Sequence, residues 1–210
     1  MTKVKICGLS TPDTLEAAIA HGADFVGLMF FAKSPRAVSL DRAAHLAEMA
    51  RGRVKIVTVT VDAEDGLLAD IAQTVKPDLI QCHGKETPER LAAITARTGI
   101  TTYKVLRVAT AEQVAQAKFY SPHPFIMYDA MPPKDSVLPG GNGLAFDWTI
   151  LGGAAHPFML AGGLTPGNVA QAIRVTGADM VDVSSGVETS PGVKDVHLIA
   201  KFIEAAKAAR

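Results

Sequence analysis

Short apolar runs return along the chain at a steady interval and predict buried β-strands. Eight runs of four to seven residues are rich in Val, Ile, Leu, Met and Phe. Strands that are buried on both faces of a parallel sheet have this composition. The runs begin about 25 residues apart, the length of one strand and one crossover helix. The predicted strands are residues 4–7, 25–30, 55–61, 79–83, 103–108, 125–129, 158–161 and 180–183.

Between the strands, apolar positions recur at helical spacing and short motifs mark helix ends. Threonine followed by proline opens three segments, at residues 11–12, 87–88 and 165–166. Threonine caps a helix with its hydroxyl group, and proline suits the first helical position, where no N–H is needed. Gly22, Gly99 and Gly177 fit the residue that follows each helix end. The alternation of strands and helices predicts an α/β fold, the (β/α)8 TIM barrel.

Length and composition limit the possible classes of protein. The chain has 210 residues, near the lower bound for such a barrel, so we expect one domain over residues 1–210. Its 21 basic and 21 acidic residues give no net charge and no basic cluster for nucleic acid. No apolar run reaches membrane-spanning length, and two cysteines are not a disulfide framework. We therefore expect a cytoplasmic monomer or homodimer that binds neither membranes nor nucleic acid.

Two glycine-rich corners follow the last two predicted strands. Residues 158–163 end in Gly162 and Gly163, and residues 180–186 end in Ser184, Ser185 and Gly186. Small residues allow backbone N–H groups to approach an anion closely, and a following helix N-terminus adds partial positive charge. In a (β/α)8 barrel the loops after strands seven and eight often bind phosphate. These corners are therefore a predicted phosphate site.

Cys7 closes the first strand and is a candidate catalytic residue, because active sites in this fold lie at the carboxyl ends of the strands. Side-chain alternation places Lys5 and Cys7 on one face and Ile6 on the other. If Ile6 packs on the helices, Cys7 points into the barrel mouth and Lys5 lies one layer below. A thiol near cations is partly thiolate and acts as a base or nucleophile. The alternative is a small buried apolar side chain.

Asp129 and His83 close two further strands. Apolar neighbours such as Met127 would raise the pKa of Asp129, so that it holds a proton near neutral pH. The alternatives for Asp129 are a helix N-cap and an ion pair. His83 shares a strand face with Gln81 and is either a base or ligand-binding group or a hydrogen-bonded structural histidine. Cys82 takes the other face and is predicted to pack against helices.

Asp182 and Arg36 carry charges near the same predicted edge. Asp182 shares a face with Ser184. It either accepts a hydrogen bond from a substrate hydroxyl or pairs with Lys5 across the closing seam of the barrel. Arg36 follows strand two, next to Pro35. It either binds a planar carboxylate with two parallel hydrogen bonds or is a solvated surface residue.

A long loop and the absence of several motifs bear on the predicted chemistry. Residues 129–146 are rich in proline and glycine, as lids often are, and the GGNG segment at 140–143 is a weak candidate for substrate contacts. No histidine or cysteine pair has metal-site spacing, and neither G-x-G-x-x-G nor G-x-S-x-G occurs. We therefore expect no metal and no cofactor. An acid, a base, a carboxylate clamp and a phosphate site fit a proton-transfer isomerase that acts on a sugar phosphate.

Eight motifs together resemble the phosphoribosylanthranilate isomerase family over essentially the whole chain. Some are weak alone, but in this order they are highly specific. They are KICGL at 5–9, KSPR at 33–36, QCHG at 81–84, GGNG at 140–143, FDW at 146–148, LAGGL at 160–164, DVSSGVE at 182–188 and PGVKD at 191–195.

The resemblance implies an Amadori rearrangement in tryptophan biosynthesis. N-(5-phospho-β-D-ribosyl)anthranilate becomes 1-(2-carboxyphenylamino)-1-deoxy-D-ribulose 5-phosphate, without a cofactor. The resemblance implies that Asp129 is the general acid that protonates the ribose ring oxygen, and that Cys7 is the general base that removes the C2′ proton. Arg36 would hold the anthranilate carboxylate, Asp182 would orient ribose hydroxyls, and the two glycine-rich corners would hold the phosphate.

Two departures from the family pattern and two rival interpretations remain. Cys82 stands where leucine is expected, and Asn142 stands in the predicted lid where threonine or serine is expected. One rival is the barrel that performs the same rearrangement in histidine synthesis, with two phosphate sites and an aspartate base. The other is a binding or regulatory barrel without catalysis. The strand-one Cys7, the single clear pair of phosphate corners and the presence of Asp129 favour the anthranilate family.

Overall fold

A closed barrel of eight parallel strands confirms the predicted fold. The computed structural model describes residues 1–120, 124–131, 146–154 and 157–209. Each strand pairs with the next in sequence, and the first also pairs with the eighth, which closes the sheet. The strands are β1 (Lys3–Cys7), β2 (Phe25–Phe30), β3 (Lys55–Thr60), β4 (Leu79–Cys82), β5 (Thr101–Val108), β6 (Ile126–Ala130), β7 (Phe158–Leu160) and β8 (Met180–Val183).

Helices cover the outside of the barrel, and several begin and end where the motifs predict. The Thr11 and Thr87 side chains accept hydrogen bonds from the first helical turns that follow them. Gly99 and Gly177 end their helices with φ of +70° and +67°, a conformation that glycine adopts without strain. The helices are α1 (Pro12–Ala20), α2 (Leu40–Ala50), α3 (Asp65–Asp70), α4 (Pro88–Thr98), α5 (Ala111–Val114), α6 (Val169–Thr176) and α7 (Val196–Lys207).

The predicted helix start at residues 165–166 is wrong, because α6 begins at Val169. The Asn168 side chain closes a turn in front of the helix. Its Oδ1 accepts from the Thr165 amide at 2.8 Å, and its Nδ2 donates to the Gly163 carbonyl at 3.0 Å. The Thr165 carbonyl accepts from the amides of Asn168 and Val169, so the turn leads directly into the helix. The first glycine corner is therefore tied to the turn by a side chain.

Some crossovers contain little regular α-helix. α3 continues as a π-helical turn (Ile71–Val75), α5 continues as a 3-10 helix (Ala115–Tyr120), and another 3-10 helix (Trp148–Gly153) precedes β7. After β8 come a 3-10 turn (Ser185–Val187) and a two-stranded hairpin, β9 (Glu188–Ser190) and β10 (Val193–Lys194). This last segment places two charged side chains beside the mouth of the barrel.

Alternating side chains divide the core into two layers. One layer packs between strands and helices and includes Val4, Ile6, Tyr128 and Phe158. The other fills the barrel interior. Its residues are Phe25, Val57, Tyr103, Val105, Met127, Met159, Ala161 and Met180. Because strand side chains alternate, residues two positions after an interior residue also point inward, and at the strand ends they reach the mouth.

The register of the sheet explains which interior side chains meet. Directly opposed residues on neighbouring parallel strands lie on the same face and are close together. The opposed pairs that matter for the site are Lys5 with Asp182, Cys7 with Gly27, Gln81 with Tyr103, and Arg107 with Asp129.

Candidate active site

Cys7 is the last residue of β1, and its buried side chain points into the barrel one layer above Lys5. Gly27 makes room for both side chains, because a Cβ atom there would lie 2.9 Å from Cys7 Sγ and 3.2 Å from Lys5 Nζ. Burial raises the pKa of the Cys7 thiol, although Lys5 and Lys194 act in the opposite direction. The position of the thiol therefore opposes the partial ionisation expected from the sequence, because burial favours the neutral form.

Lys5 and Asp182 form a buried ion pair inside the barrel. Lys5 Nζ lies 2.7 Å from Asp182 Oδ1, as the shared register of β1 and β8 allows. Burial acts to lower the pKa of Lys5, but Asp182, Cys7 and Tyr103 together outweigh this effect and raise it. Of the two roles considered for Asp182, the structure contains the ion pair. Removing one partner from a buried pair of this kind typically costs about 3–5 kcal/mol of stability.

Asp129 lies within β6, two residues after the interior Met127, and its side chain is buried. Its Oδ1 accepts a hydrogen bond from the Ala130 amide at 2.8 Å. Gly162 packs against this carboxyl group, since a Cβ atom at Gly162 would lie 3.0 Å from Oδ1. Because Ala130 continues the strand, the alternative of a helix N-cap at Asp129 is wrong.

His83 follows β4 and joins the interior of the barrel to Asp129. Its Nδ1 lies 3.0 Å from Gln81 Nε2, and its Nε2 lies 3.3 Å from Asp129 Oδ2. Gln81 in turn accepts a hydrogen bond from the Tyr103 hydroxyl at 2.7 Å. The structure therefore brings together the two candidate groups at the ends of β4 and β6, and it gives His83 a hydrogen-bonded partner below.

Arg36 is buried, so the interpretation as a solvated surface residue is wrong. Its Nε and Nη2 atoms bind the two carboxylate oxygens of Glu188 at 2.7 and 2.8 Å. Lys194 Nζ adds a second bond to Glu188 at 2.6 Å. Burial opposes ionisation of Glu188, but Arg36 and Lys194 outweigh it and hold the Glu188 pKa below its usual range. One edge of the guanidinium therefore already engages a carboxylate of the protein itself.

Glu188 and Lys194 are site residues that sequence reasoning did not single out. They lie in the β9 and β10 strands of the hairpin after β8, and both occur within motifs that carry the family resemblance. Lys194 also donates to the Ser184 carbonyl at 3.0 Å, so it ties the hairpin to the second glycine corner. Arg107, on the interior face of β5, was also missed, and its Nη2 lies 3.4 Å from the Gly84 carbonyl. Arg107 lies at the end of a predicted strand, which is the signal that identifies it, whereas Glu188 and Lys194 follow the last predicted strand and have no such signal.

The two glycine corners meet, as the predicted phosphate site requires. A Cβ atom at Gly186 would overlap the Leu164 carbonyl group, so the corner after β8 lies directly on the corner after β7. Gly162 and Gly163 have φ of +88° and +63°, which turns the chain sharply. Both residues lie outside the strands and helices, and neither amide donates a hydrogen bond to a backbone carbonyl within the described ranges. These N–H groups are therefore available to an anion.

Cys82 packs against α3 and α4, with Leu68 and Leu91 among its neighbours, so its predicted orientation is confirmed. Burial raises the pKa of the Cys82 thiol to about 12. The predicted lid contacts at residues 140–143, including Asn142, lie outside the described residues. In the ranges that the structure covers, no cluster of three metal-ligating side chains occurs. No helix in those ranges is both long enough and apolar enough to span a bilayer.

Comparison with known proteins identifies the family to which the chain is similar. A model of the family described as N-(5′-phosphoribosyl)anthranilate (PRA) isomerase matches residues 4–205. The N-(5′-phosphoribosyl)anthranilate isomerase of Rhodopseudomonas palustris strain HaA2 is 53% identical over 208 residues, which are 98% of this chain and 95% of the relative.

Solved structures agree with the sequence comparison. A crystal structure of phosphoribosyl anthranilate isomerase from Thermotoga maritima superposes with a TM-score of 0.89 at 34% identity, covering 99% of this chain and all of the other. A further crystal structure of a phosphoribosyl anthranilate isomerase has a TM-score of 0.86 at 33% identity, with the same coverage. That protein was crystallised with reduced 1-(o-carboxyphenylamino)-1-deoxyribulose 5-phosphate.

Proposed function

Because this chain belongs to the N-(5′-phosphoribosyl)anthranilate isomerase family, we propose that its barrel mouth converts N-(5′-phosphoribosyl)anthranilate into the corresponding deoxyribulose phosphate of tryptophan biosynthesis. The family membership makes the chain an isomerase. One observation carries the assignment of the site. The Cys7 thiol and the Asp129 carboxyl group point into the barrel at the carboxyl ends of β1 and β6. The glycine corners after β7 and β8 lie between those two strands in the barrel.

The phosphate of the substrate binds at the glycine corners. Within the described ranges, the amides of Gly162 and Gly163 donate to no backbone carbonyl. The 3-10 turn that begins at Ser185 follows closely after β8. Neutral amide dipoles bind a phosphate without a fixed cation, and a short helix beside these loops is a common feature of barrel phosphate sites. Anchored there, the ribose lies between the end of β6 on one side and the end of β1 on the other.

Ring opening is the first proton transfer. Asp129 gives its proton to the ribose ring oxygen, the C1′–O bond breaks, and the nitrogen lone pair forms a C1′=N iminium group. Oδ1 is already held by the Ala130 amide, so Oδ2 is the oxygen that faces the mouth as the proton donor. A general acid in such a position typically contributes about 10²–10⁴-fold to the rate.

Removal of the C2′ proton is the second transfer. The iminium charge acidifies C2′, and Cys7 takes this proton as the C1′=C2′ bond forms. The resulting enolamine becomes the ketone when C1′ gains a proton and the C2′ hydroxyl loses one. Burial raises the pKa of the thiol, whereas Lys5 and Lys194 favour the thiolate that the reaction requires. Asp182 holds Lys5 in place and orients ribose hydroxyls.

Arg36 receives the anthranilate carboxylate, and Glu188 positions it. Glu188 binds the guanidinium through Nε and Nη2 and thereby fixes the plane in which this group pairs with a carboxylate. His83 completes the wall beside Asp129 and contacts the substrate there. We also infer that residues 1–210 act as one domain, since the family match extends over residues 4–205.

Replacing Arg36 with methionine should raise KM by at least about tenfold and change kcat less, because the clamp holds substrate and transition state alike. Glu188→Gln should raise KM by a smaller factor, since the guanidinium keeps its charge but loses an ionic partner. Arg53→Met is the matched control, because Arg53 pairs with Glu16 on the outside of the barrel. Steady-state kinetics measure all three, and an unchanged KM in Arg36→Met would remove the clamp from the proposal.

Replacing Gly186 with alanine should raise KM about tenfold or more, because the new methyl group overlaps the Leu164 carbonyl and separates the two corners. Gly167→Ala is the matched control in the same region, since a Cβ atom there meets only Thr165 Oγ1 at an ordinary 3.8 Å. The competitive inhibition constant of inorganic phosphate gives a second readout. Equal constants in both variants would place phosphate binding elsewhere.

Turnover of the purified chain tests the function itself. We expect the purified chain to convert N-(5′-phosphoribosyl)anthranilate to its ketose isomer, with both compounds quantified by chromatography. We also expect its gene to restore growth without tryptophan in a strain that lacks this isomerase. The substrate of the related barrel in histidine synthesis is the comparison. Preferential turnover of that second substrate, or turnover of neither, would contradict the proposed function.

A further inference from the structure

We propose that Tyr103 and Gln81 are positioning residues that fix the tautomer of His83, so that His83 presents an N–H group and not a lone pair to the carboxyl group of Asp129. The inference rests on the proposed role of Asp129 as the general acid. It adds to that role a reason why the carboxyl proton goes to the substrate and not to the neighbouring imidazole.

The three side chains form a continuous buried chain of hydrogen bonds through the barrel interior. Gln81 and Tyr103 oppose each other in the register of β4 and β5, and Gln81 and His83 share one strand face. The Tyr103 hydroxyl donates to Gln81 Oε1 at 2.7 Å, and Gln81 Nε2 lies 3.0 Å from His83 Nδ1. Tyr103 and Gln81 are almost wholly buried, and His83 is 7% exposed. Water therefore has little access to these polar atoms.

The orientation of the Gln81 amide sets the tautomer of His83. Because Gln81 Oε1 accepts from Tyr103, the amide nitrogen is the group that faces His83. An amide nitrogen only donates, so His83 Nδ1 must carry the lone pair. In a neutral imidazole the other nitrogen then carries the hydrogen. His83 Nε2 is therefore an N–H group, and it lies 3.3 Å from Asp129 Oδ2.

This hydrogen matters for the reaction of Asp129. A lone pair on Nε2 would accept the proton of the carboxyl group and draw it away from the ribose ring oxygen. An N–H group has no such acceptor, and it stabilises the carboxylate that remains once the proton has left. Within the described part of the chain, His83 Nε2 is buried without an aligned hydrogen-bond partner. The N–H group therefore lies beside Asp129 and is not engaged by another acceptor among the described residues.

Other charged groups surround Tyr103, Gln81 and His83, and they are the same in all the variants described below. Arg107 opposes Asp129 on β5, and the Lys5–Asp182 ion pair and Cys7 act electrostatically on Tyr103. Behind His83, the buried Glu86 accepts hydrogen bonds from the Gly84 amide and from Lys104, which fixes the loop that carries the imidazole. The positions of these groups do not depend on the orientation of the Gln81 amide.

The tautomer is measured directly by NMR of the full-length protein labelled with 15N-histidine. Long-range proton–nitrogen correlation spectra separate Nε2–H from Nδ1–H imidazoles, and His83→Gln assigns the signal of His83. We expect the neutral Nε2–H form at neutral pH. The Nδ1–H form, or a doubly protonated imidazole, would overturn the proposal without any reference to activity.

Two variants connect the tautomer to catalysis. In Gln81→Glu, the new carboxylate accepts a hydrogen from His83 Nδ1. Either the imidazole stays neutral and its Nε2 presents a lone pair to Asp129, or the imidazole becomes doubly protonated and favours the ionised form of Asp129. We expect kcat to fall at least about tenfold with a smaller change in KM. Tyr103→Phe frees the amide to turn over, and we expect a fall of about threefold to tenfold together with a mixture of the two tautomers.

Tyr128→Phe is the matched control for Tyr103→Phe. Tyr128 is a buried tyrosine next to Asp129 in sequence, but it faces the helices and its hydroxyl group has no hydrogen-bond partner among the described residues. It should keep the kcat and the tautomer of the unchanged protein. If Tyr103→Phe and Gln81→Glu both keep the Nε2–H signal and full kcat, the inference fails. Full activity in Asp129→Asn would instead remove the proposed acid, while the NMR result stands on its own.

Discussion

Asp129→Asn should lower kcat by at least ~10²-fold, because an amide cannot protonate the ribose ring oxygen and the C1′–O bond then has to break without acid assistance. The change preserves the shape of the side chain and the bond from the Ala130 amide to Oδ1. KM should change much less than kcat, since the phosphate and carboxylate contacts remain. Stopped-flow or steady-state kinetics with N-(5′-phosphoribosyl)anthranilate measure both constants.

Asp78→Asn is the matched control for this variant. Asp78 lies at the start of β4, at the opposite end of the barrel, where it accepts from the Ile56 amide at 2.8 Å and from Lys55 at 2.6 Å. It should keep kcat and show at most a change in thermal stability. Near-normal turnover in Asp129→Asn, with a folded protein, would refute the assignment of the acid.

Cys7→Ser should also lower kcat by at least ~10²-fold, because a serine hydroxyl is a far weaker base than a thiolate. Cys82→Ser is the control for the same chemical change, since Cys82 packs against α3 and α4 and lies outside the mouth. That variant should keep kcat but lose some stability, as a hydroxyl replaces a thiol in an apolar cluster. Equal kcat values in the two serine variants would exclude Cys7 as the base.

The pH dependence gives Cys7 a second test. The active form is the thiolate, and burial raises the pKa of the Cys7 thiol above its ordinary value. The thiolate fraction, and with it the rate at which iodoacetamide alkylates Cys7, should therefore increase as the pH rises from neutral into the alkaline range. Cys7→Ser should remove this alkylation. An alkylation rate at Cys7 that falls as the pH rises would contradict a thiol that ionises in this range.

The strands were largely predictable from the sequence, because burial on both faces demands nearly continuous apolar runs. The predicted bounds of β2 and β8 are those of the structure, and β1 differs by one residue. Helix ends were less predictable where a turn precedes the helix. Asn168 holds the Thr165 amide in such a turn and α6 begins at Val169, although threonine and proline alone favour an earlier start.

The candidate site was predictable where position along a strand decides function. Cys7, Asp129 and Asp182 are all on interior faces because alternation fixes the face of each residue once the strand is known. The partners of these residues depend on the register between strands that are far apart in sequence. The Lys5–Asp182 pair spans 177 residues, and Arg36 and Glu188 are 152 residues apart. Lys5–Asp182 was an open alternative, whereas the Glu188 partner of Arg36 had no local signature.

The state of the Cys7 thiol was not predictable from the neighbouring sequence. Lys5 suggested an ionised thiol, yet Lys5 is neutralised by Asp182 and the thiol is buried, so desolvation is the larger effect. The same three-dimensional balance decides the role of Arg36. A buried arginine needs a partner, and the structure supplies Glu188.

A crystal structure of this chain with the reduced product analogue tests the central claim most directly. Cys7 Sγ should face C2′, the Asp129 carboxyl group should lie within hydrogen-bond distance of the oxygen released from the ribose ring, and the phosphate should rest on the amides of residues 162–163 and 185–186. An analogue that reaches only one of the two side chains, or a phosphate bound at the amino-terminal end of the barrel, would contradict the account.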